Sequence, residues 1–209
     1  MSLFWNEVWV FFFFTAIQVD LGFLVEGSSN VMETEFFQCM EMVKYIYSAF
    51  PVSQENVHVG LGVISSNPEI IFGFDKYFDK ISLNSAIDSV KYSGAQQVAN
   101  VGLSLITARD TFYSKSTRKG VRRVLVLMIK SKSNDEISDP ARKLRDDGVE
   151  IYGFDFGDRV EVQEIAEIAT TPTNKHVVIN GIGTFLAGAR NLIGKLGIAK
   201  VESGKFLRG

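Results

Sequence analysis

Six consecutive apolar residues, VLVLMI at positions 124–129, stand in the middle of the chain with aliphatic side chains on both parities. A strand that is apolar on both faces must be covered on both, which is the situation of a parallel strand between two layers of helix. The rest of the sequence fits that frame, because short β-rich runs alternate with stretches of helical apolar period from Asp20 onward. The expected fold is therefore α/β: a Rossmann-like, doubly wound, mostly parallel sheet with one antiparallel edge strand and helices on both faces.

LGFLV (residues 21–25) is the first expected strand, and EGSSN turns the chain into a helix over 33–50 that ends before Pro51. VHVGLGVIS (57–65) alternates with glycines on one parity, as a strand with close backbone neighbours would. IIFGF (70–74) follows through the SNPE turn, too short a link for a crossover, so this pair should be antiparallel. Helices are expected over 82–92 and 98–112, then the central strand. Asp139 and Pro140 read as an N-cap and first helical residue of DPARKLRDD, closed by Gly148. VEIYGFDF, the helix EVQEIAEIA, the strand HVVIN and an amphipathic helix over 184–196 complete the order.

Composition narrows the function. A formal net charge of -2 gives no general drive toward nucleic acid. One cysteine, Cys39, and two histidines, His58 and His176, are too few for a structural zinc site. Cys39 reads as a buried small hydrophobe rather than a reactive thiol. The sequence GIGTFLAG (181–188) opens a helix after a strand, but its glycine spacing does not fit a dinucleotide loop, and no nucleotide is expected. Ser28 lies in no G-x-S-x-G elbow, so a hydrolase has no support.

Residues 1–18 contain VWVFFFFTAI, an apolar run too short to span a bilayer as a helix. It reads either as a signal-peptide core, though without the usual basic start, or as an apolar segment outside the domain or at the sheet edge. The domain itself is expected over 19–197, and residues 198–209, rich in glycine and basic residues, read as a linker or disordered tail.

Three stretches at proper spacing carry a family resemblance. DLGFLVEGSSNV (20–31) resembles the opening D-I-V-F-L-V-D-G-S-x-S-I of von Willebrand factor type A domains. SGAQQVANVGLSL (93–105) is similar to their G-G-T-x-T-G-x-A-L segment, and VLVLMIKSKSND (124–135) to V-L-V-x-I-T-D-G-x-S-x-D. STRKGVRRVLVL (116–127) and SNDEISDPARKLRDDGVEIYGF (133–154) look most like the type A domains of the collagen VI alpha-3 chain, with Arg122 where that group has proline.

In that family a metal-ion-dependent adhesion site holds a divalent cation through oxygen ligands. The resemblance maps its five positions onto Glu26, Ser28, Asn30, Ala99 and Lys130, of which Ser28 alone keeps the family residue. Ala99 offers no side-chain oxygen, and Lys130 puts an ammonium where a carboxylate should grip the ion. Like charges within about 4 Å repel by several kcal/mol at an effective dielectric near 20. No metal and no cofactor are expected, and Lys130 is expected either to pair with Glu26 or to extend into solvent.

A second candidate is the basic stretch Lys115, Arg118, Lys119, Arg122 and Arg123, which could meet an acidic partner or lie as a solvated loop. The resemblance implies a non-enzymatic, secreted extracellular-matrix interaction module, with collagens or neighbouring type A domains as partners and no membrane span. The alternative is a metal-dependent cell-adhesion domain of the integrin inserted-domain type, against which Ala99 and Lys130 speak.

Overall fold

The computed structural model describes residues 18–94, 98–114, 118–157, 162–179 and 185–197. The apolar segment at 1–17, the first half of the glycine-rich stretch at 181–188 and the tail at 198–209 lie outside the described residues. Six strands form one sheet: β1 (Val19–Glu26), β2 (Val57–Ile64), β3 (Glu69–Phe72), β4 (Arg122–Ile129), β5 (Val149–Asp155) and β6 (Val177–Ile179). Their spatial order is β3-β2-β1-β4-β5-β6. All neighbours are parallel except β2 and β3, which pair antiparallel across the short turn that the sequence reading anticipated.

β1 lies between β2 and β4, with Val25 facing Val63 on one side and Met128 on the other. The chain therefore winds outward from β1 to the β3 edge and then returns across β1 to build the other half. That reversal opens a crevice beyond the carboxyl ends of β1 and β4, the place where ligands bind in open α/β sheets.

The alternation of side chains divides the core in two. Phe23, Val25, Val124, Val126 and Met128 point into one cluster with α1 (Glu33–Ser48), α2 (Lys80–Asp88) and α7 (Phe185–Leu196). Leu24, Leu125, Leu127 and Ile129 point into the other, with α3 (Val101–Ala108), α4 (Ser138–Asp146) and α5 (Val162–Ile168). The central run at 124–129 is buried throughout, as its composition demands. Each such fully buried aliphatic side chain contributes roughly 1.5–3 kcal/mol.

Several boundaries differ from the sequence reading for physical reasons. α4 begins at Ser138, and Asp139 is not its N-cap; the Glu136 carboxylate accepts from the Ser138 and Asp139 amides at 2.7 and 3.1 Å instead. Asp139 turns outward to pair with Arg142 and Lys143. The helix expected over 98–112 ends as α3 at Ala108 and continues as one π-helical turn, Arg109–Tyr113. That turn seats Phe112 and Tyr113 under the sheet, where Phe74, Phe112 and Tyr113 form an aromatic cluster. The cluster fits because β1 and β2 are bare there: a Cβ on Gly22 would stand 2.8 Å from the Tyr113 hydroxyl, and one on Gly60 3.1 Å from Phe112 and Phe74. A four-residue helix α6 (Thr173–His176), too short to show a period in sequence, precedes β6.

Candidate functional site at the ends of the first and fourth strands

The last residue of β1, Glu26, is fully buried, and its position at the switch point makes it the floor of the crevice. Its two oxygens are filled by the protein. Oε1 accepts from the Ser28 hydroxyl at 2.5 Å and from the Ser131 hydroxyl. Oε2 accepts the backbone amides of Lys130 and Ser131 at 2.6 and 3.0 Å. The loop after β4 is thereby tied to the end of β1 through a single carboxylate.

Ser28 in turn accepts the amide of Asn30 at 3.2 Å, while the Asn30 side chain is exposed. Ala99 is buried, and its contribution is a carbonyl that accepts the Asn134 amide at 2.8 Å. Asp135, at the far end of the same loop, accepts the second and third amides of α3, those of Gly102 and Leu103, at 2.9 and 2.8 Å. Its charge lies at the positive end of that helix. Among the described residues, no three of His, Cys, Asp and Glu converge as metal ligands.

The Lys130 side chain does not pair with Glu26, one of the two outcomes weighed from the sequence, and it does not extend free into water either. Its ammonium lies 2.7 Å from both carboxylate oxygens of Glu35 in the first turn of α1. The Lys130 side chain is 21% exposed and that of Glu35 2% exposed, so the pair closes the crevice from the α1 side. Glu35 also accepts the amide of Met32 at 2.8 Å, which caps the helix. Sequence reading missed Glu35 because it occupies none of the five family positions. The signal was nevertheless present: an acid set beside Phe36, Cys39 and Met40 on the buried face of a helix needs a cation or a donor set.

Cys39 packs one turn further along this face. Burial pushes its thiol well above the ordinary cysteine value, and the neighbouring Glu35 and Glu26 charges push the same way while Lys130 opposes them. A thiol so buried and held protonated is a weak nucleophile.

A model of the von Willebrand factor type A domain matches residues 20–185. The chain belongs to this family. Over 167 residues it is 29% identical to von Willebrand factor A domain-containing protein 1 of Bos taurus, covering 78% of this chain and 39% of that protein. Over 157 residues it is 27% identical to matrilin-1 of Mus musculus, covering 75% and 31% respectively. The chain thus spans about a third of the length of these curated relatives. Among solved structures, proximal thread matrix protein 1 from the mussel byssus, described with a zinc-occupied MIDAS motif, superposes with a TM-score of 0.79. Its sequence identity is 20%, over 87% of this chain and 48% of the other.

The basic stretch of this type A domain is not one patch. Arg118 reaches inward to the buried Asp20 at 3.0 Å and to the Asn56 carbonyl at 2.6 Å. Arg122 forms a two-pronged contact with Glu150, 2.8 and 2.7 Å, and also donates to Tyr152 and to the Leu196 carbonyl at the end of α7. Arg123 lies 3.4 Å from the Asp147 carbonyl, Lys119 is exposed, and Lys115 lies outside the described residues. Two of the five charges are therefore spent inside the fold. A groove between α1 and α7 leaves Phe37, Tyr45 and Leu186 partly in water.

Proposed function

We propose that this type A domain is a non-enzymatic extracellular-matrix module that binds other proteins without a chelated metal. The observation that carries the reading is the state of the five family positions. Glu26 spends both oxygens on internal donors, Ala99 has no side-chain oxygen to offer, and the Lys130 ammonium stands beside Glu35 at the mouth of the same crevice. A hard divalent cation asks for several oxygens facing one open point and for net negative charge. The residues here do not fit that demand, because the oxygens face inward and the mobile charge is positive.

Extracellular matrix is the setting in which the relatives point, through matrilin-1 and the byssal matrix protein. Collagens or neighbouring type A domains are the partners this suggests, and the finer kinship with the collagen VI alpha-3 chain rests on the motifs at 116–127 and 133–154. Among the described residues no helix is long and apolar enough to cross a membrane.

Solid-phase binding of the purified chain to collagens and to type A domains, with and without EDTA, tests the reading. Binding should be the same in both, and calorimetric titration with Mg²⁺ or Mn²⁺ should be flat. Micromolar Mn²⁺ affinity together with loss of binding in chelator would establish the metal-dependent adhesion alternative instead.

A further inference from the structure

The crevice holds two buried carboxylates, Glu26 and Glu35, at 0% and 2% relative exposure. Burying such charges is tolerated only when donors or counter-charges meet them. Glu26 is satisfied by four donors from Ser28, Lys130 and Ser131. Among the described residues, Glu35 has a single backbone donor, Met32, and otherwise depends on the Lys130 ammonium. One residue thus serves both acids, its amide on Glu26 and its side chain on Glu35. The first links β4 to β1; the second links β4 to the first turn of α1.

We propose that the Lys130 ammonium is the resident cation of this crevice, pinning the start of α1 to the sheet through Glu35. The protein then carries, covalently attached, the positive charge that would otherwise have to come from solution. This rests on the metal-free reading of the site and deepens it, since it states what took over the ion's place and through which acid. The assignment of Glu35 does not follow from the family positions. It follows from the bidentate 2.7 Å contact and from the near-complete burial of the carboxylate.

The decisive variant is Lys130→Met, which keeps the stem and removes the charge. Removing one member of a buried pair leaves the other uncompensated, and the melting temperature in EDTA should fall by roughly 5–10 °C. Millimolar Mn²⁺ or Mg²⁺ should restore part of that loss in Lys130→Met, because the buried Glu35 then lacks its counter-ion. The wild type should melt at one temperature in both solutions. Lys130→Arg should resemble the wild type, and adding Glu35→Gln to Lys130→Met should abolish the response to cations.

A purely packing role for Lys130 would give a loss of stability with no cation response, and that result overturns the inference. So does a Lys130→Met chain that melts like the wild type, or one that stays unfolded with and without Mn²⁺. A wild type that is itself stabilised by Mn²⁺ refutes the metal-free reading instead, so the two failures are told apart by which protein responds.

Discussion

Glu26 is one methylene longer than the aspartate usual at the end of the first strand, and that length lets its carboxylate reach the amides of Lys130 and Ser131 across the gap to β4. The two kinds of donor around it respond differently to substitution. Backbone N–H groups cannot turn, whereas the hydroxyls of Ser28 and Ser131 can rotate to accept a hydrogen bond. Glu26→Gln should therefore be mild, about 1–2 kcal/mol, with the amide oxygen kept toward the backbone and the NH₂ toward the serines. Glu26→Ala leaves two amides without an acceptor in a buried place and should cost about 3 kcal/mol or more. Urea denaturation of the two variants checks the order; equal losses would show that the carboxylate is not held as described. Glu26 was singled out in the sequence by the resemblance of residues 20–31 to the family's opening motif, and the structure puts it at the end of β1. The partner of Lys130 was not legible. Glu26 ends β1 and Lys130 directly follows the adjacent β4, so sequence register alone favours their pairing, and only the helix that closes over them brings Glu35 nearer.

Among elements, the junction of β4, β5 and α7 gives the clearest account of what a charge run conceals. Arg122 and Arg123 read as members of a surface patch, yet Arg122 sits at the start of β4 against Glu150 of β5 and reaches the last carbonyl of α7. A one-dimensional sequence cannot say whether an arginine faces water or turns back onto the neighbouring strand, and the apolar stem serves both. The hydrogen-bonded Arg122 guanidinium holds the Glu150 carboxyl below its ordinary value of 4.5, although burial pulls the other way. A carboxyl lowered in the folded state contributes stability above its unfolded value and loses it as pH falls through the folded one. The wild type should then exceed Glu150→Gln by less than about 1 kcal/mol at neutral pH, since the pair is about one-third exposed, and the difference should shrink progressively as the pH falls below 4.5. A gap in urea midpoints that is constant from pH 7 to about pH 3 would remove the electrostatic explanation. Strand and helix order, by contrast, could be read directly, because the period of apolar residues is imposed by burial. The ends of α3 and α4 could not be, since a π-helical turn and a side chain supplied by Glu136 decide them.

At the scale of the molecule, the two core clusters and the sheet between them should open together. Cys39 offers a probe of that event, because it is fully buried in the cluster beneath α1 and burial raises its thiol far above neutrality. An aromatic disulfide reagent at pH 8 should leave the native protein unmodified, and labelling should follow the global unfolding curve in urea. Fast labelling in buffer, without unfolding, would show that α1 separates from the sheet by itself. The architecture was foreseeable from one doubly buried strand and its alternating neighbours. What the crevice does was less so, because chemistry there depends on where the ends of β1, β4 and α1 meet.

Among the described residues the sheet also has modest borders, four residues in β3 and three in β6. Short rims offer a stranger's backbone little to hydrogen-bond with, so strand addition gains few contacts. Copies of this domain brought side by side should therefore stay separate beads instead of fusing into a continuous ribbon.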